Sequence, residues 1–169
     1  MNNIVLIGFM GVGKGTIARA FCKKNKMYAI DTDDLIESLE NRKIKKIFKE
    51  DGEAYFRELE AKTATWLANN VRNTLISTGG GFFMVEGLHK IGTIVYLRSS
   101  FDGILQRLLS SENADRKLKK RPLFQEIEKA KALYEKRAPL YEKKADIILN
   151  VEGKSIKEIV KAMEKKVKI

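Results

Sequence analysis

Several things are scarce in this sequence, and each shortage excludes something. Among 169 residues there is one cysteine, Cys22, so no internal disulfide can form and a reducing compartment suits the chain. No apolar run reaches the 18 or so residues of a membrane span. The N-terminus lacks the charged, apolar, small-residue order of a signal peptide, which predicts a soluble, cytoplasmic protein. Neither an internal repeat nor a low-complexity linker is present, and the length fits one domain, 1–169, with a single core. The lone histidine, His89, stands in a helix-to-strand region without partner signals and reads as a surface residue. Trp66 and Cys22 sit at apolar helical positions and read as packing.

Charge of one sign, by contrast, is abundant. Lys and Arg number 33 against 22 Asp and Glu, a net +11 that favours anionic partners. It does not separate a nucleotide from a nucleic acid. Lysines crowd 43–49, 117–121 and 154–168. In the last stretch Ile156, Ile159, Val160, Met163 and Val167 keep helical spacing, which leaves the lysines on a solvated face. A basic nucleic-acid-binding module is the distant alternative. It would need interleaved exposed aromatics or a reading motif, and neither is found.

Short apolar runs alternate with helical patterns. "IVLI" at Ile4, "YAI" at Tyr28, "TLIS" at Thr74, "TIVYL" at Thr93 and "DIILNV" at Asp146 read as five buried strands. Helical patterns cover 15–24, 33–41, 53–69, 85–90, 101–110, 126–136 and 155–168. This alternation predicts an α/β domain, a five-stranded parallel sheet with helices on both faces. The polar, basic stretch "SSENADRKLKKRPLF", ended near Pro122, reads as neither strand nor helix, and its length suits a mobile lid over about 111–124.

Four constellations carry chemistry. "GFMGVGKGT", 8–16, follows the first strand and opens the first helix, the context of a phosphate-binding loop. Its backbone N–H groups and the helix N-terminus face phosphate, and Lys14 adds a mobile positive charge. The place after Lys14, where Ser or Thr usually reaches magnesium, holds Gly15. "DTDD", 31–34, ends the second strand, where carboxylates can face the loop, bind magnesium through water or accept a proton. Capping of the next helix by Thr32 or Asp33 is the rival reading. "STGGGFF", 77–83, points to close approach of a ligand or second backbone, with a loose turn as its rival. Finally, Arg57, Arg121 and Arg137 offer planar forks for carboxylate or phosphate, although Glu60 is an obvious ion-pair partner for Arg57.

Together these residues resemble the shikimate kinase family. The glycine-rich loop, "DTD", "FKEDGEAYFRELE", "STGGG", "RPL" and "KRAPLYEKKAD" follow the family's order almost end to end. The resemblance implies a single-domain phosphate-loop kinase moving the γ-phosphoryl group of ATP to the 3-hydroxyl of shikimate, with Mg2+. On this reading Gly11, Val12, Gly13, Lys14, Gly15 and Thr16 bind ATP, with Arg107 against adenine over the turn at 150–153. Asp33 holds the substrate hydroxyls and takes the proton. Arg57 and Arg137 grip the carboxylate, Gly79, Gly80 and Gly81 give backbone contacts, and Phe48 and Phe56 wall the pocket, within a substrate-binding helical region at about 33–61. Arg121 closes over the phosphates from the lid, and Lys14 lies between β- and γ-phosphates. Asp31 stands near magnesium, through water. The implied partners are ATP and shikimate, without nucleic acid or membrane, and the implied state is a monomer.

Gly15 departs from the family. "GKGT" is the spelling of adenylate kinases, so a nucleoside monophosphate kinase is the main rival, and a gluconate kinase shares the loop but not "RPL" and "RAPLY".

Overall fold

The computed structural model describes residues 2–111, 114–119 and 122–168. Five strands, β1 (Asn3–Ile7), β2 (Ala29–Asp31), β3 (Leu75–Ser77), β4 (Gly92–Arg98) and β5 (Ile147–Asn150), form one sheet in the order β2-β3-β1-β4-β5. Every pairing is parallel. β1, "NIVLI", is buried along its whole length, because a central parallel strand is covered on both faces and cannot alternate with polar residues. The helices are α1 (Lys14–Asn25), α2 (Thr32–Glu40), α3 (Ile44–Asn70), α4 (Phe101–Leu109), α5 (Ala114–Lys119), α6 (Ile127–Lys144) and α7 (Ile156–Val167). They cover the sheet as the alternation predicts, with α1 packed against α7.

Register is what builds the site. Leu6 of β1 pairs with Ser77 of β3, and Ser77 pairs with Asp31 of β2. The segments leaving these strands, 8–13, 78–81 and 32–33, therefore emerge side by side at the carboxyl edge of the sheet, where open α/β sheets bind ligands.

The main core runs from Leu6, Ile7 and Phe21 to Leu75, Tyr96 and Met163. A second, separate cluster joins α2 to α3 through Ile36, Ile47, Phe56 and Leu59. Fully burying four such side chains stabilises this region by about 1.5–3 kcal/mol each. Arg42, in the α2–α3 connection, ties it together from outside, pairing with Glu40, Glu50 and Asp51 at 2.5–2.9 Å. Its guanidinium also lies over the Tyr55 ring.

The structure corrects several expectations. The edge strands β2 and β5 are only partly buried, and Tyr28 is exposed outside β2, since an edge strand has a neighbour on one side only. The helix expected at 85–90 is two short 3-10 turns, Phe82–Met84 and Leu88–Lys90. α3 starts before Gly52 and is broken there, at φ 82° and ψ 176°. α6 runs on through Pro139 to Lys144, beyond the helical pattern read at 126–136. α5 and a 3-10 turn at Pro122–Gln125 lie inside the stretch read as non-helical. Trp66 is exposed rather than packed, as is Ile156. Cys22 is buried and His89 exposed, as expected.

Candidate functional site

α1 begins at Lys14 from Gly13, which holds φ 105°, a conformation only glycine adopts at little cost. No side chain caps this helix start, so its first N–H groups face outward with the positive end of the helix dipole. Lys14 is buried and folds back on the loop, Nζ donating to the Gly8 carbonyl at 2.6 Å and the Phe9 carbonyl at 3.2 Å. Gly11, Gly13, Lys14, Gly15, Thr16, Asp31, Asp33, Gly79 and Gly80 line one cavity of about 340 Å³. Val12 is fully buried and brings only backbone to this region.

Asp31 is the cap of α2, where the rival reading had put Thr32 or Asp33. Its Oδ1 accepts from the N–H groups of Asp33, at 3.0 Å, and Asp34, at 3.4 Å. That leaves Oδ2 of Asp31 for the cavity and frees the Asp33 side chain for other work. Asp33 Oδ1 is buried without a hydrogen-bond partner among the described residues. Burial first, then the neighbouring Asp31 carboxylate, pushes the Asp33 carboxyl up from 3.8 to about 7, against the pull of Lys14. An unmet buried acceptor costs about 1–3 kcal/mol, which is tolerable where a ligand supplies the missing donor.

The triple glycine explains how the polar groups meet. A Cβ on Gly79 would stand 2.5 Å from Asp33 Oδ1, one on Gly80 would stand 3.7 Å from Arg137 Nη1, and one on Gly81 would collide with the Arg57 guanidinium. Gly79 and Gly81 thus leave the room in which Asp33 and Arg57 lie, with Arg137 beside Gly80 at ordinary contact distance. Side chains of the chain itself approach the run closely, which the sequence did not show. Thr32, fully buried, holds this run through Oγ1, which accepts from Gly79 N at 3.1 Å. Tyr141 holds it from the other side, its hydroxyl donating to the Gly80 carbonyl at 2.5 Å and its ring packed on Phe83 and Tyr96.

Arg57 is set by two carboxylates. Nη1 meets Glu60 at 2.7 Å and Nη2 meets Glu53 at 2.9 Å. Burial works against the Arg57 charge, but Glu60 and Glu53 outweigh it. Glu60 is almost wholly buried, and desolvation pushes its carboxyl up although Arg57 and Arg137 pull it down. Its Oε1 is a second buried acceptor without a hydrogen-bond partner among the described residues.

These are the features a carboxylated, polyhydroxylated acceptor beside a nucleotide would require, and the similarities agree. A sequence profile of the family described as shikimate kinase matches residues 10–168. The chain belongs to the shikimate kinase family. It is 39% identical over 170 residues to the shikimate kinase of Helicobacter hepaticus, covering 99% of both chains. To that of Clostridium botulinum (strain ATCC 19397 / Type A) it is 41% identical over 170 residues, covering 98% of both. Among solved structures, the shikimate kinase of Bacteroides thetaiotaomicron superposes with a TM-score of 0.79 at 30% identity, over 99% of each chain. The Acinetobacter baumannii shikimate kinase in complex with shikimate superposes with a TM-score of 0.77 at 26% identity, over 99% of this chain and 93% of that one. The single-domain phosphate-loop kinase fold expected from the sequence is therefore this chain's fold.

The remaining expected residues fall into three groups in this shikimate kinase family member. Phe56 is buried in the second cluster with Phe48 half-exposed beside it, ring centroids 4.8 Å apart. Arg107 stands beside Gly13 of the phosphate loop, its Nη2 donating to the carbonyls of Val151, at 2.7 Å, and Lys154, at 3.2 Å. It lines a separate cleft of about 290 Å³ with Glu152, Gly153 and Lys154. Arg121 lies outside the described residues. Sequence reasoning overlooked Tyr141, Thr32 as a tether and Phe9. The Phe9 ring, inside the glycine-rich motif, meets Phe101, Phe124 and Tyr134 edge-on and so fastens the 3-10 turn at Pro122–Gln125 to the loop. An aromatic between two glycines of a phosphate loop was the signal available for it.

Among the described residues no helix is long and apolar enough to cross a membrane, and no group of three His, Cys, Asp or Glu side chains could hold a metal.

Proposed function

We propose that this chain is a shikimate kinase in action as well as in family, transferring the γ-phosphoryl group of ATP to the 3-hydroxyl of shikimate to give shikimate 3-phosphate and ADP. One observation carries the acceptor assignment: the 79–81 glycine run lays Asp33, Arg137 and Arg57 next to each other beside the phosphate loop. Two guanidiniums suit a carboxylate, and an unmet buried carboxylate oxygen suits a hydroxyl donor. Shikimate binds against the helical region at about 33–61, walled by Phe48 and Phe56, with a lid at about 111–124 that includes Arg121.

Phosphoryl transfer asks the protein to align its reactants and neutralise charge. The loop N–H groups of 11–16, the α1 N-terminus and Lys14 take the β- and γ-phosphates. Arg107, fixed on the 151–154 turn, backs the adenine, and Arg121 of the lid adds charge over the phosphates. Asp33 accepts the 3-hydroxyl hydrogen bond and then its proton, a role for which a carboxyl near pH 7 is well matched. The lid excludes water, which would otherwise compete as acceptor.

Magnesium fits this site as a companion of the nucleotide. With Gly15 offering no hydroxyl, Asp31 is the residue that would hold it, through water, by the oxygen not used as the α2 cap. Held there, it would supply positive charge to the phosphate oxygens. The enzyme is proposed to act as a monomer in the cytoplasm.

A coupled ADP-release assay with shikimate, gluconate and AMP as acceptors, magnesium varied, tests the reading. Turnover with shikimate is expected. Turnover with AMP alone would overturn it in favour of a nucleoside monophosphate kinase.

A further inference from the structure

Arg19 lines the phosphate-loop cavity together with Gly13, Lys14, Gly15, Asp31 and Asp33. It stands four residues beyond Gly15 on α1, hence on the same face, and helical side chains lean toward the helix N-terminus. Its Nη1 lies only 3.4 Å from the point where a Cβ at position 15 would be. The guanidinium therefore stretches over the space that a serine or threonine hydroxyl would share. Arg19 has no hydrogen-bond or ion-pair partner among the described residues, although Asp31 and Asp33 line the same cavity.

A cation held there is electrostatically costly in the absence of an anion. It stands near the positive end of the α1 dipole and the Lys14 ammonium, and no carboxylate among the described residues is paired with it. A bound polyphosphate adds an attraction that offsets both repulsions. Arginine's planar fork can then take two oxygens at once, which a single hydroxyl or a lysine cannot.

We infer that Arg19 is a nucleotide-binding residue of this chain, its guanidinium reaching across the side-chain-free Gly15 to the terminal phosphate oxygens of the bound nucleotide. This rests on the proposed phosphoryl transfer and adds to it a second cation of α1 besides Lys14. Glycine at position 15 leaves that path open while giving up the hydroxyl.

Calorimetric titrations of ADP and a non-hydrolysable ATP analogue, each in EDTA and in excess magnesium, test the inference on wild type, Arg19→Ala and Arg19→Lys. Arg19 is exposed, so folding is retained, with matching melting curves as the check. In EDTA, Arg19→Ala should weaken both nucleotides by about tenfold or more, the scale of a lost charge-assisted pair. Arg19→Lys should lose less, and shikimate affinity should stay at the wild-type value in both. Unchanged nucleotide affinity in Arg19→Ala would overturn the assignment, as would an equal loss of shikimate affinity. Failure of wild type to bind shikimate would instead strike the acceptor assignment, leaving the nucleotide comparison readable.

Discussion

Alanine placed in turn at Gly79, Gly80 and Gly81 should produce three different enzymes. None of the three glycines holds a positive φ in the left-handed region, so the backbone accepts alanine and only space decides the outcome. At Gly79 the new methyl would stand 2.5 Å from Asp33 Oδ1, and ordinary contact begins at 3.4 Å. The carboxylate must retreat by about 0.9 Å, and a displacement of roughly 1 Å at a reacting group costs on the order of 100-fold in rate. Gly79→Ala should therefore lose kcat by about that factor in the ADP-release assay while keeping its ATP affinity and melting temperature. At Gly81 the methyl meets the Arg57 guanidinium, so the chief loss should be in KM for shikimate, roughly tenfold for a weakened carboxylate contact. At Gly80 the nearest atoms would be 3.6–3.9 Å away, so no side chain has to move and the fold should be unaffected. Full kcat in Gly79→Ala, or parallel loss of ATP binding and turnover in Gly79→Ala and Gly80→Ala alike, would refute the idea that the run exists to make room for these side chains.

Other outcomes follow from single residues. Asp33→Asn should abolish most turnover and leave ATP binding nearly intact, and comparable losses in both would make Asp33 structural. With its carboxyl near 7, wild-type kcat/KM should fall below about pH 7 by on the order of tenfold per pH unit. The same raised value means the folded chain holds this proton more tightly than the unfolded one. Its contribution to stability is complete below the unfolded value of 3.8 and is lost as pH rises through 7, on the order of 4 kcal/mol for so buried a group. Melting in EDTA across that window should show the loss in wild type and a flatter curve in Asp33→Asn. Gly15→Ser adds a Cβ at 3.4 Å from Arg19, a tolerable contact, and should keep activity; no turnover from a folded Gly15→Ser protein would contradict a magnesium held mainly by nucleotide and water. Gly52→Ala meets nothing within 4 Å, yet its backbone region is open essentially to glycine alone, so denaturant unfolding should show a loss of about 1–3 kcal/mol.

Local spacing carried much of this protein. "IVLI" followed by a glycine-rich turn and a helix could be read directly as strand, phosphate loop and α1, because burial on both faces and the chain's need to curl leave their marks on adjacent residues. The alternation of apolar runs and helical patterns likewise determined a parallel five-stranded sheet, and the order of six short motifs determined the family. Tertiary structure decided the matters that depend on residues far apart in the chain. Which aspartate of "DTDD" caps α2 and which faces the cavity was settled by the geometry at the end of β2, where Asp31 Oδ1 reaches two backbone N–H groups and Asp33 is left inward. Pro139 inside α6 and the 3-10 turns after the triple glycine were tertiary overrides of local signals. The glycine run itself was visible at once, but its purpose was not, since Asp33, Arg57 and Arg137 come from three helices and meet only when β1, β2 and β3 pair in register. Sequence patterns record what each residue does to its neighbours along the chain, whereas the room left by an absent side chain can be seen only from the groups that fill it.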